Sequence, residues 1–126
     1  METRELYRPV GLFELRLIRA AQYKTFPPRL PQQPLFYPVL NYEYAEQIAR
    51  DWNTRDERSG YMGAVTVFDV EAAYLAQFEE HVVGSSLHRE LWIPAEKLDE
   101  FNHRIEGTIR ILTVFYGQQY GGEREW

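Results

Sequence analysis

Residues 61 to 70 read Tyr-Met-Gly-Ala-Val-Thr-Val-Phe-Asp-Val. β-Branched and aromatic residues dominate this run, and such residues pack well on a pleated surface, so it predicts a strand. Just before it, residues 53 to 60 (Asn-Thr-Arg-Asp-Glu-Arg-Ser-Gly) read as a charged surface loop that ends on a turn glycine. Further upstream, Asn41 is a good N-cap for a helix starting at Tyr42. Ala45, Ile48, Ala49 and Trp52 follow at i, i+3, i+4 and i+7, a stripe that buries one helix face. Trp52 is therefore expected in the core, with Asn53 as a C-cap or loop residue.

Nearer the N-terminus, Leu6 to Val10 reads as a short strand and Gly11 to Ala21 as a helix. Residues 27 to 34 hold four of the seven prolines, which excludes a packed helix or a central strand and makes a stiff loop. Leu35 to Leu40 is apolar, aromatic and strand-like. Downstream of the opening run, Asp69 is expected to cap a short helix that carries Tyr74, Leu75 and Phe78. His81 to Val83 and His88 to Ile93 read as strands separated by a turn at Gly84-Ser85-Ser86. Pro94 suits the first turn of a helix whose stripe is Leu98, Phe101 and Ile105. Thr108 to Tyr116 is a strongly β-branched strand.

Short strands interleaved with short helices predict an α+β domain. One or two small curved sheets, antiparallel or mixed, are flanked by three to four short helices. Residues 1 to 116 are expected to form a single domain, and residues 117 to 126 a flexible C-terminal tail.

The composition narrows the function classes. The chain has 126 residues, is 44% hydrophobic and 26% charged, and has a formal charge of −5, which suits one soluble domain located in the cytoplasm. The first residues, Met1-Glu2-Thr3-Arg4-Glu5, show no basic-then-apolar leader pattern. No apolar run approaches a membrane span. An acidic balance argues against holding nucleic acid by bulk charge. The absence of cysteine removes thiol nucleophiles and thiolate metal sites. His88-Arg89-Glu90 has the His-x-Glu spacing of a zinc deaminase but lacks the cysteine pair, so no metal is expected. The common phosphate cradles are missing as well. Aromatic residues make up 15% of the chain, an excess that points to an aromatic-lined pocket or partner surface.

The polar residues inside predicted strands are the candidate site. Strand alternation puts His88, Glu90 and Trp92 on one face of residues 88 to 93, with Leu91 and Ile93 on the core face. His88 and Glu90 are either an ordinary solvated strand face or, in a partly dry cleft, a carboxylate set to meet developing positive charge. Arg8 either grips a phosphate or carboxylate or makes a surface salt bridge. Arg29 in the proline-rich loop has the same two readings. Tyr37, Tyr42 and Tyr44 surround a strand-to-helix junction, either stacking on a flat ligand ring or serving as core and rim aromatics. Trp92 is either a pocket wall or an exposed cross-strand partner.

Four segments carry a family resemblance: Leu6-Tyr-Arg-Pro-Val-Gly-Leu, Phe36-Tyr-Pro-Val-Leu-Asn, Ile48-Ala-Arg-Asp-Trp-Asn and Glu90-Leu-Trp-Ile-Pro-Ala-Glu. Over residues 6 to about 116 the chain is similar to a group of short bacterial proteins labelled ADP-ribosylation/crystallin J1-type. The order of its elements resembles the ADP-ribosyltransferase fold. The resemblance implies NAD as substrate, with Arg8 holding its phosphates and Tyr37 near the nicotinamide ribose; the reading of the residues adds Tyr44 and Trp92 as ligand-binding aromatics. It implies Glu90 as the catalytic acid group, with His88 where the family's first Glu of Glu-x-Glu stands. Phe36-Tyr37-Pro38 occupies the place of the family's Ser-Thr-Ser. Three functions follow as expectations. The first is an NAD-using transferase or glycohydrolase, acting on an acceptor or on water. The second is a non-catalytic module of the same fold that binds a nucleotide or another ligand. The third is an acidic, immunity-like protein that binds a protein partner.

Overall fold

The computed structural model describes residues 1–126. In chain order it contains β1 (Thr3–Val10), α1 (Leu12–Ala20), β2 (Leu35–Phe36), α2 (Tyr42–Asp51), β3 (Met62–Glu71) and α3 (Ala72–Leu75). Then come β4 (Glu80–Val82), β5 (Arg89–Leu91), β6 (Ile93–Pro94), α4 (Leu98–Asn102) and β7 (Ile105–Tyr116). This is a mixed α+β architecture with four α-helices and small antiparallel sheets. No helix is long and apolar enough to cross a membrane.

β3 is the middle strand of the order β1-β3-β7, antiparallel to both neighbours. Every residue from Met62 to Phe68 is buried, which explains why the stretch reads as a nearly continuous apolar run rather than an alternating one. Ala64 and Phe68 belong to the larger core with Leu15 and Ile18 of α1. Val65 belongs to a smaller core with Ala45 and Ala49 of α2. The two faces of the sheet are thus covered by different helices. The β3–β7 register shifts at Val65/Thr66 and Val67/Asp69, and such irregularities bend and twist a ladder.

The element that shapes the cleft is a second ribbon. Residues 34 to 40 run antiparallel to residues 89 to 95 in one register, through Leu35↔Pro94, Phe36↔Ile93 and Val39↔Glu90. Val39 also pairs with Tyr7, its N–H donating to Tyr7 O at 2.7 Å and its carbonyl accepting from Tyr7 N at 3.0 Å. It therefore joins the ribbon to β1. The strand expected over Leu35 to Leu40 is interrupted after Phe36. Pro38 has no N–H to offer, although its carbonyl still accepts from Leu91 N at 2.9 Å. The strand expected over His88 to Ile93 breaks at Trp92, and His88 lies just outside it.

Other expectations change for tertiary reasons. Asp69 stays within β3 and accepts from Arg110 across the sheet at 3.0 Å. It caps nothing; α3 begins after Glu71 without a side-chain cap. Ile105 pairs with Val70 as the first residue of β7 and does not continue the stripe of α4. Trp52 follows the last turn of α2 and is 60% exposed, so it is not core. Much of the aromatic content is core instead: Phe26, Phe36, Phe68 and Phe101 pack with ring centroids 4.8 to 6.2 Å apart. The last ten residues, expected to be a flexible tail, hold no helix or strand, yet their end is tied down. Trp126 donates Nε1–H to the Tyr23 hydroxyl at 3.2 Å, and its carbonyl accepts from Tyr116 at 2.7 Å. Glu125 pairs with Arg16 and Arg19 of α1.

Candidate functional site

The ribbon register decides which side chains share a face. Directly opposed residues of an antiparallel pair point the same way. Phe36, Leu91 and Ile93 turn to the core and are at most 1% exposed. Tyr37, Val39, Glu90 and Trp92 turn the other way, into a cleft of about 700 Å³. The cleft is completed by the end of β1, the start of α1, the proline-rich loop and one side of α2. Arg8, Tyr37, Tyr44, Glu90 and Trp92 all line it. His88 does not. Its ring stacks on Tyr44 with centroids 4.4 Å apart, and its Nε2 meets Gln47 Oε1 at 3.0 Å. His88 therefore supports the wall from behind.

Glu90 sits half-buried at the centre of β5. The Tyr44 hydroxyl donates to its Oε2 at 2.9 Å, and Trp92 Nε1–H donates to its Oε1 at 2.7 Å. Each carboxylate oxygen thus has one fixed donor, which holds the group in a single orientation. Burial pushes the Tyr44 phenol up to about 12, with the hydrogen bond to Glu90 and the Glu90 charge adding in the same direction. Tyr44 is a donor at any ordinary pH. Trp92 is itself held flat against His81, with centroids 3.7 Å apart and planes 5° apart. Tyr44 reaches Glu90 because Asn41 caps α2, its side-chain oxygen accepting from Tyr44 N at 2.8 Å.

At the other end of the cleft, Arg8 is only 8% exposed. Its Nε and Nη2 bond the two oxygens of Glu14 at 2.7 and 2.9 Å, a bidentate pair. Its Nη1 reaches the carbonyl of Tyr37 at 3.4 Å, and its guanidinium lies 4.6 Å from the Phe36 ring centroid. Arg29 lines the same region. Its Nε donates to Leu35 O at 3.0 Å. Burial lowers its pKa, the nearby Arg8 charge lowers it further, and Glu14 opposes both.

Two lining residues were not legible as functional. Glu14 lies six residues after Arg8; an acid in the first turn of a helix reads as a response to the helix dipole, and only the turn at Gly11 brings it back onto β1. Its place after the α2 stripe makes Asn53 a cap or loop residue, yet it is 5% exposed. Its Nδ2 donates to Ser59 Oγ at 2.9 Å, and Ser59 donates on to Asp56 at 2.7 Å. The Asn53 Oδ1 has no partner. No group of three His, Asp or Glu side chains is arranged to hold a metal ion. Comparison of the chain with protein-family models, with curated proteins and with solved structures gives no match.

Proposed function

We propose that the protein is an NAD-using ADP-ribosyltransferase or NAD glycohydrolase of the cytoplasm, with Glu90 as the catalytic residue. One observation carries this reading. A cation near the start of the chain, Arg8, and an acid late in it, Glu90, open on one cleft together with Tyr37. The cleft volume lies within the ~300–1,000 Å³ typical of small-molecule sites. Its cationic end suits a diphosphate, and Tyr37, Trp52 and Trp92 offer flat apolar walls for rings. The ADP-ribosyltransferase-like fold belongs to this same reading, since it puts a cation on a first strand, an aromatic on a second extended segment and an acid on a later strand, the order in which Arg8, Tyr37 and Glu90 stand here.

The chemistry asked of Glu90 is electrostatic. The bond between ribose C1′ and the pyridinium nitrogen breaks, and its electron pair leaves on nicotinamide, which becomes neutral. The sugar passes through an oxocarbenium-like state. A carboxylate already oriented by Tyr44 and Trp92 meets that charge without reorganising. Water or an acceptor then bonds to C1′ and gives up one proton.

The test is nicotinamide release from NAD by the wild type and by Glu90→Gln, which keeps the shape and removes the charge. Loss of a stabiliser of this kind costs about 3–4 kcal/mol of barrier, roughly a 10²- to 10³-fold fall in turnover. Unchanged turnover removes Glu90 from the chemistry.

A second reading, a nucleotide-binding module without turnover, is favoured by one feature. Phe36-Tyr37-Pro38 offers only one side-chain hydroxyl where the resembling family has three. Calorimetry with NAD, ADP-ribose and nicotinamide separates the two, because binding without nicotinamide release selects the module.

A further inference from the structure

Arg8 and Arg29 share the cationic end of the cleft, but they are not in the same state. Glu14 is the only acid beside them that is engaged with either, and both of its oxygens are taken by Arg8. Arg8 also contacts the Tyr37 carbonyl and the Phe36 ring. Its guanidinium is thus a structural tie between β1, α1 and the ribbon, with little left to give a ligand. Arg29 makes one hydrogen bond, from Nε to Leu35 O, and no salt bridge to any carboxylate. Its two terminal nitrogens have no protein acceptor. The group is half-buried, and its positive charge faces another one.

Around Arg29, the two guanidiniums of Arg8 and Arg29 and the one carboxylate of Glu14 leave a local net positive charge in a partly dry corner of the cleft, the charges of Arg58, Asp56 and Glu90 lining the rest of it. Burial of an uncompensated charge is costly, and a bound anion relieves that cost. The segment presenting Arg29 is rigid as well. Pro27 and Pro28 precede it and Pro31 and Pro34 follow it, while Leu30 N bonds Gln33 Oε1 at 3.0 Å and Gln33 N bonds Leu30 O at 2.9 Å. With Nε pinned to the backbone, the Nη pair is held as a fixed fork, the geometry that matches two oxygens of one phosphate.

We propose that Arg29 is the anion anchor of the cleft, its Nη groups taking two oxygens of a ligand phosphate or diphosphate, while Arg8 positions the surrounding segments through Glu14. This rests on the nucleotide reading above for the source of the phosphate, and not for the site itself.

The experiment is isothermal calorimetry on the full chain with inorganic pyrophosphate, ADP-ribose and adenosine, for the wild type, Arg29→Met and Arg29→Lys. Arg29→Met is expected to weaken pyrophosphate and ADP-ribose by about 10- to 100-fold, as expected for loss of a charge-assisted pair, and to leave adenosine unchanged. Arg29→Lys keeps the charge and loses the fork, and is expected to weaken them a few-fold. It also stands in for Arg29→Met if thermal melting shows that variant unfolded. Equal ADP-ribose binding by the wild type and a folded Arg29 variant overturns the anchor and leaves the NAD reading standing. Arg29-dependent pyrophosphate binding without any ADP-ribose binding supports the anchor and overturns the NAD reading. Absence of binding by either phosphate ligand to the wild type overturns both.

Discussion

The Tyr44 hydroxyl, in the first turn of α2, donates to Oε2 of Glu90 in β5 at 2.9 Å. The bond links the two sides of the cleft and gives the carboxylate one of its two fixed donors. Removing it with Tyr44→Phe leaves Trp92 on the other oxygen and keeps the ring stacked on His88. Glu90 then has more freedom when charge develops on the substrate. Hydrogen bonds to charged groups contribute ~1.5–3 kcal/mol, so kcat for nicotinamide release is expected to fall about tenfold or more with KM little changed. Steady-state kinetics checks this. A raised KM with unchanged kcat would make Tyr44 a ligand-stacking group instead of a positioning one.

Tyr7, Tyr44 and Tyr74 are each pushed up to about 12. For Tyr7 the hydrogen bond to Glu5 is the largest cause; for Tyr44 and Tyr74 it is burial, followed by bonds to Glu90 and Glu100. The unfolded chain deprotonates these phenols near their ordinary value of 10.0, before the folded chain does. Their contribution to stability is complete below pH 10 and is lost as pH rises toward 12. Thermal melts across that window are expected to show a falling midpoint. Replacing all three residues with phenylalanine should flatten that slope, and an unchanged slope would assign the alkaline loss to other groups.

Arg8 and Glu14 have side chains only 9% and 21% exposed. Breaking one side of a buried pair leaves an uncompensated charge, at a cost of about 3–5 kcal/mol. Glu14→Ala should therefore lower the urea midpoint strongly with an unchanged m-value. The double variant Arg8→Met, Glu14→Leu replaces both charges with apolar volume and is expected to regain much of that loss. A double variant no more stable than Glu14→Ala would mean that the bonds to Tyr37 and Phe36, and not the ion pair, carry the stability.

What the sequence disclosed follows from the range of the interactions involved. The Asn41 cap, the Ala45/Ala49 stripe and the two long strands are local patterns, set by propensity and periodicity within one element, and all are present. Strand alternation is geometric and puts Glu90 and Trp92 opposite Leu91 and Ile93, whereas His88, expected on the same face as Glu90, lies outside the strand and out of the cleft. Trp52 shows where this ends. Its spacing fits the stripe, but the helix stops one residue earlier and the ring turns outward. The same spacing puts Ile105 on a helix, and pairing with Val70 takes it into β7 instead. The ribbon between residues 34 to 40 and 89 to 95, and the return of Glu14 onto Arg8, depend on chain directions that no local window encodes. The cleft was therefore legible in Arg8, Tyr37, Tyr44, Glu90 and Trp92 taken singly, and not in Glu14, in Asn53 or in its shape.

Gly63 in β3 abuts the backbone of α2, and its replacement tests how far that shape depends on one close approach. A Cβ at this position would collide with the carbonyl oxygen of Ala49 and lie 2.8 Å from Ala49 Cα. Because the obstacle is backbone, trimming the opposing side chain gives no relief, and α2 must move away from the sheet. Overpacking of this kind costs ~1–3 kcal/mol, against ~0.4–1 kcal/mol returned by the stiffer unfolded chain. The net effect of Gly63→Ala is a loss of stability, and a fall in melting temperature of several degrees is expected for a domain of this size. Adding Ala49→Gly should not restore it, and full recovery would mean that side-chain crowding, not the backbone, sets the spacing. α2 also carries Tyr44, so the same shift draws the donor away from Glu90. The variant is expected to lose kcat at temperatures where it remains fully folded, with a smaller change in KM. Unchanged kcat in the folded variant would show that Glu90 keeps its orientation through Trp92 alone.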